Sequence, residues 1–330
     1  VVAHDMNMQQ LYQLGADGLW VSPGRPSIIA GGDPPPPDPD YGDPGTYQPG
    51  PLTTGPIPGT VLSDTFGDIT VSGTETITGL RIYGRVTVPS GANLTMRNCE
   101  LRGPSGTLPG GAVVTVAGTA LIEDTSIDVT DRESYMLNGI MGKDYTMRRC
   151  EITRTVDAVG LTYAGGNVTI EACWFHRPYY SVVPTSVQSS GYTHNDGVQF
   201  HTGANITIRG NMIGGPRVDA DYETGATEFL GEDFSTSGII IQQTVAPGSS
   251  IYARIENVLV EKNWFQGAAA SVNLNYINGN DLSGNVVVKD NHFYRQTGKP
   301  TYYILNNSTL ATLSGNTFED TGTLVPIVNI

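Results

Sequence analysis

The sequence predicts an all-β fold, a parallel β-solenoid. Three observations predict it: a strand motif that recurs at a near-constant step, a second alternating strand before each copy, and a polar column that stays in register through eight copies. The motif reads NLTMRNCEL (93–101), ALIEDTSI (120–127), YTMRRCEI (145–152) and NVTIEACWF (167–175). It continues as NITIRGNMI (205–213), NVLVEKNWF (257–265), NVVVKDNHF (285–293) and ATLSGNTF (311–318). The aligned column holds Cys99, Thr125, Cys150, Cys173, Asn211, Asn263, Asn291 and Asn316, and an apolar residue stands two positions later in every copy. Most steps are 23 to 28 residues, one solenoid coil; the steps of 38 and 52 are coils carrying inserted loops. A β-sandwich would not hold one register over eight copies.

The second strand appears as GAVVTV (111–116), NGIM (138–141), DAVGLTY (157–163), DGVQFHT (196–202), SGIIIQQ (237–243), ASVNLNY (270–276) and YYILN (302–306). Alternation places Val159, Leu161, Val198, Phe200, Ile239 and Ile241 inside. The Asn and Cys/Thr column is then an internal ladder at a turn, where stacked amides bond each other and the turn backbone. The outward positions form two columns: Gly160, Gln199, Ile240, Asn273, and Thr162, His201, Gln242, Asn275. Long insertions span 177–195, 214–236 and 244–256. They leave neighbouring coils, so they are expected to wall a groove.

Ahead of the body, which spans 60–330, the chain reads as a short segment, 1–31, and a spacer, 32–59. Met6 to Leu14 has the pattern for two helical turns, with Leu19, Trp20 and Val21 as an apolar cluster too small to make a core alone. The spacer carries four consecutive prolines and few residues to bury, which favours an extended conformation.

Composition narrows function. Of 330 residues, 15% are charged, against a usual share of about 25%, so a coiled coil or charged bundle is excluded. The net charge of −14 argues against a nucleic-acid partner, which needs clustered Lys and Arg. No apolar run reaches the ~18 residues of a membrane span. Three cysteines cannot pair completely and are expected as free buried thiols. The first 15 residues lack a basic start and an apolar stretch, so no signal peptide is read. Val1 is small enough to follow a removed initiator Met, and synthesis in a cytoplasm is expected.

The candidate site lies over the 196–202 strand. Amides at Gln199, Gln242 and Asn275 suit sugar hydroxyls, and Tyr163, Tyr179, Tyr180, Tyr192 and Tyr222 offer stacking faces. Asp157 and Asp196 precede equivalent strands in adjacent coils, ~4.8 Å apart; two such carboxylates repel, which raises one pKa and makes an acid/base pair possible. The same column holds Asn138 and Ser237, usually followed by Gly, which equally reads as a turn whose side chains bond the backbone. His194 and His201 flank Asp196 and could complete a general base. The N-x-S/T triplets at Asn93, Asn167, Asn205 and Asn307 follow from the repeat and are not read as glycosylation sites.

The repeat, the Asn column and HNDGVQFHTGANITIRGN (194–211) resemble the right-handed parallel β-helix superfamily that includes pectate-lyase-like proteins, over about residues 60–330. The layout of short anchor, Pro-rich spacer and β-helix is further similar to bacteriophage tailspikes and minor tail proteins. Members of the superfamily are lyases, glycoside hydrolases, epimerases, adhesins and phage tail proteins, and fold alone does not choose among them. The resemblance implies a virion tail subunit, attached to other tail proteins through residues 1–31, trimeric, and binding a bacterial surface polysaccharide. The enzymatic alternative is a polysaccharide lyase or glycoside hydrolase. A lyase of this kind implies an Arg or Lys base, for which Arg177 and Arg217 are candidates, and a carboxylate-bound Ca²⁺, for which Asp219, Asp221 and Glu223 are candidates; their spacing is not that of an EF-hand loop, and no cofactor is assigned. Neither the paired-Asp signature of polygalacturonase-like hydrolases nor an Arg-x-Pro-x-x-Arg lyase signature is present, which lowers the enzymatic expectation.

Overall fold

The computed structural model describes residues 13–14, 20–21, 42–104, 111–129, 137–161, 166–179, 184–186, 189–191, 193–214, 237–245, 248–250, 252–276, 284–295, 302–308 and 310–330; of these, 13–14, 20–21, 161 and 276 are described by backbone alone. From Ser63 onward, each described coil contributes one strand to each of three sheets, in the order I, II, III. Sheet I starts with Ser63–Phe66 and ends with Thr317–Phe318; sheet II runs from Ile69–Thr70 to Ile327–Asn329; sheet III runs from Thr74–Thr78 to Ala311–Ser314. All neighbours within the three sheets are parallel, so a parallel β-helix is the fold.

Of the predicted sheet II core, all but Leu161, whose side chain lies outside the described residues, is observed. Val159, Val198, Phe200, Ile239 and Ile241 are buried on sheet II, and the apolar column of sheet I stacks Phe265 on Phe293 at 4.9 Å between ring centroids. The turn from sheet III to sheet I uses one left-handed residue per coil: Asn98, Asp124, Arg149, Ala172, Gly210, Lys262, Asp290 and Gly315. That residue swings the next side chain inward, which is why Cys99 through Asn316 line the interior. Asn211 Nδ2 donates to Ile170 O and to Asn263 Oδ1, and the pattern repeats at Asn263 and Asn291. These bonds offset the strain of non-glycine residues at positive φ. Cys99, Cys150 and Cys173 are free and buried, as expected.

A second left-handed column, Asp144, Asn167, Asn205, Asn257 and Asn285, marks the turn from sheet II to sheet III, each side chain bonding the next. This ladder is the structural reason for the N-x-T triplets at Asn167 and Asn205. On the outer face of sheet III, register aligns Arg97, Glu123, Arg148, Glu171, Arg209, Glu261 and Lys289, strictly alternating in sign.

The opening segment differs from expectation. Gln13–Leu14 pairs antiparallel with Trp20–Val21, so the end of the expected helix is a strand; Gly15 and Gly18 between them disfavour helix. The second half of the spacer is seated on the body. Gly45 lies against Lys262, Gly55 N–H bonds Arg149 O, and Ile57 N–H bonds Asn98 Oδ1. The strap thus runs down the III–I turns, and Gln48 bonds Met212 Sδ and the Tyr294 hydroxyl beside the outer stripe Trp174, Met212 and Trp264.

Candidate functional site

The site is built at the corner where sheet I turns into sheet II. At the entry to each sheet II strand there stands the column Asn138, Asp157, Asp196, Ser237, each followed by a small residue. That small residue faces sheet I: a Cβ on Gly197 would lie 2.7 Å from Ile213 Cγ2, and one on Gly238 would lie 3.1 Å from Phe265 Cδ1. The next residue, Val198 or Ile239, also enters the core. Two successive inward residues make a local bulge, so residues three apart share the outer face. Gln199 Nε2 accordingly donates to Asp196 Oδ2 at 3.2 Å, and Asn273 Nδ2 lies 3.5 Å from Ser237 Oγ.

The column is a ladder of its own. Asn138 Oδ1 accepts Asp157 N–H at 3.3 Å, Asp157 Oδ1 accepts Asp196 N–H at 2.9 Å, and Ser237 donates to the Asp196 carboxyl. Asp157 and Asp196 are therefore both turn-forming and paired. Burial raises Asp157 well above the usual carboxylate range, and the neighbouring Asp196 charge adds to it. Burial pushes Asp196 up to about 7, against the opposing bonds from Ser237 and Gln199.

The outward column Gly160, Gln199, Ile240, Asn273 is in register as predicted, and Gln242 pairs with Asn275. The face is more covered than an open sheet: Gln199 is half-buried and Ile240 only 9% exposed. Two acceptors on it are buried without a hydrogen-bond partner among the described residues: Asp196 Oδ1 and Asn273 Oδ1.

The histidines do not join the carboxyls. His201 follows the far end of the strand from Asp196, five residues on, or roughly 16 Å at ~3.3 Å per residue. It sits half-buried at the corner from sheet II to sheet III, its pKa lowered by burial. His194 is exposed, between buried Thr193 and Asn195. Arg177 occupies a left-handed turn next to His176, which bonds Glu151 at 2.9 Å. Tyr163, Tyr180, Tyr192, Tyr222, Thr162, Arg217, Asp219, Asp221 and Glu223 lie outside the described residues.

The three insertions do not share one edge. Those at 177–195 and 214–236 connect sheet I to sheet II, whereas 244–256 connects sheet II to sheet III, so in the chain's path they belong to different corners of two adjacent coils. Residues that fix them were not singled out in the sequence. Asn195 donates to Val156 O and Tyr179 O. Gln243 accepts Ile255 N–H and Thr202 bonds Ala253 both ways. A lone amide or hydroxyl at a strand end gives no periodic signal. Among the described residues no helix is long and apolar enough to cross a membrane.

Comparison with curated proteins and with solved structures found no match. A family model described as a right handed beta helix region matches residues 61–213. The same three sheets continue past that stretch in unbroken register to Asn329, and the chain is an all-β right-handed parallel β-helix.

Proposed function

We propose that this β-helix binds a polysaccharide of the bacterial cell surface through the outer face of sheet II, as a bacteriophage tail component attached through residues 1–31 and assembled as a homotrimer. One observation carries the binding reading. The face presents amides at Gln199, Gln242, Asn273 and Asn275, together with buried acceptors, Asp196 Oδ1 and Asn273 Oδ1, that find no partner among the described residues. Hydroxyl-rich sugars supply the missing donors. The anchor, Pro-rich spacer and rigid body support the tail reading by layout.

A second reading, a polysaccharide lyase or glycoside hydrolase, is favoured by the Asp157–Asp196 pair, whose raised pKa would keep an acid protonated near neutral pH. Against it, no histidine stands beside the pair among the positions predicted for one, and both carboxyls are committed to the turn ladder.

The test is to incubate the full chain with purified bacterial wall polysaccharides, measuring co-sedimentation and new reducing or unsaturated ends. Binding without new ends supports the first reading. New ends that disappear in Asp196→Asn support the second. No binding to any bacterial surface polysaccharide overturns both.

A further inference from the structure

A cleft of about 30 Å³ opens at the I–II corner. That is room for a small group such as a methyl or a water. Its walls are Ile152, Ala158, Phe175, Pro178 and Ile213, with the backbones of Gly197 and Gly238. The glycines matter because a Cβ at either position would collide with its neighbours, so the coils approach closely here and leave a narrow apolar slot.

Four polar side chains interrupt the apolar lining, Thr155, His176, Asp196 and Gln266, and Asp196 is the one with an unused buried oxygen. Asp196 is 2% exposed, its Oδ2 takes Gln199 Nε2, and its Oδ1 has no hydrogen-bond partner among the described residues. His176, which also lines the cleft, is already engaged with Glu151. The slot therefore offers methyl-sized apolar room next to one unused buried acceptor. A free acceptor beside apolar walls is costly unless a ligand or water donates to it.

Resting on the glycan reading above, we propose that this cleft is a subsite for the acetamido group of an N-acetylated amino sugar. The acetyl methyl occupies the slot between Ile213, Phe175 and Pro178, and the amide N–H donates to Asp196 Oδ1. The pyranose ring stays outside, over the sheet II face, where Gln199 and Asn273 lie within the same polar cluster. A 2-hydroxyl sugar can donate to Asp196 but cannot fill the slot; an apolar ligand can fill it but leaves the acceptor bare. The acetamido group does both, and the proposal narrows the substrate class to polymers containing N-acetylated residues.

The experiment uses the full chain and saturation-transfer NMR with N-acetylglucosamine, N-acetylgalactosamine and N-acetylmannosamine, each against its parent hexose. At least one N-acetyl sugar should bind about fourfold more tightly than its parent, since the parent's 2-hydroxyl also donates to Asp196 and the difference is one buried methyl. The acetyl methyl protons should receive the strongest saturation. Ala158→Val, which narrows the slot, should remove the preference, with a melting curve showing the variant folded. Equal affinity for acetylated and parent sugars, or methyl protons no more saturated than ring protons, overturns the subsite and leaves the glycan reading intact if wall polysaccharide still co-sediments. Failure of the N-acetyl sugars together with failure of every polysaccharide overturns both.

Discussion

Asn263 bonds its counterpart one coil on, Asn291, twice: its backbone N–H and its Nδ2 both donate to Asn291 Oδ1, at 3.0 and 2.9 Å. Asn263 Nδ2 also reaches back to Ile208 O at 3.0 Å. Asn263→Leu would strip the partner from buried Ile208 O and from Asn211 N–H, which donates to Asn263 Oδ1. At about 1–3 kcal/mol per orphaned group, the loss should be roughly 3–5 kcal/mol. Asn263→Cys should cost less, because Cys150 and Cys173 fill equivalent positions in lower coils. Urea unfolding of both variants checks this; equal losses would mean that the ladder bonds contribute little.

The buried pair Asp157 and Asp196 makes stability fall as pH rises. Both folded pKa values lie above the ordinary carboxylate value, so their protonated forms favour the folded state. Their contribution is complete below about pH 4; that of Asp196 is lost as pH rises through about 7, and that of Asp157 as pH rises through its own raised value. Asp196→Asn cannot ionise. It should match or trail the wild type at pH 4 and exceed it at pH 9 by a few kcal/mol, since each tenfold change in proton affinity between the unfolded and folded chain is worth on the order of 1.4 kcal/mol. Parallel melting curves across that range, with no crossing, would show that Asp196 does not hold its proton in the fold.

The small-residue column is a steric requirement. In Gly197→Ala the new Cβ would sit 2.4 Å from Gly238 O and 2.7 Å from Ile213 Cγ2, so the backbone of the neighbouring coil must move. A loss of about 1–3 kcal/mol is expected from such overpacking. Gly50→Ala meets nothing within 4 Å and serves as the neutral control. Equal melting temperatures for the two variants would remove the argument that the coils touch here.

The alternating charges of sheet III set register more than they add stability. Glu261 lies between Arg209, at 3.3 Å, and Lys289, at 3.1 Å. Glu261→Lys places three like charges in a row and should destabilise by about 1 kcal/mol at low salt, with much of the effect gone at 1 M salt, where screening extends only ~3 Å. A salt-independent loss would point to packing.

The repeat made the coil, the core and the Asn ladder legible, because each depends only on a period and an alternation. What the period does not encode was missed. The bulge at Gly197 changes which residues share a face, and strand alternation alone could not show that Asp196 and Gln199 meet. Strand length separated His201 from Asp196, although the two are near in sequence. The charge column became visible only once register aligned Glu123, Arg148 and Glu171. Proline content hid the strap, whose contacts use Gln48, Gly55 and Ile57 rather than an apolar repeat.

The most direct measurement is the affinity of the full chain for a bacterial wall polysaccharide that it co-sediments with, compared between Gln242→Ala on sheet II and Thr169→Ala on the outer face of sheet III. Neither change opens the core, so both proteins should fold. The account predicts a loss of about 2- to 10-fold for Gln242→Ala, the worth of one hydrogen bond to an uncharged sugar, and no change for Thr169→Ala. Unaltered binding by Gln242→Ala, with binding lost instead on removal of residues 1–59, would contradict it.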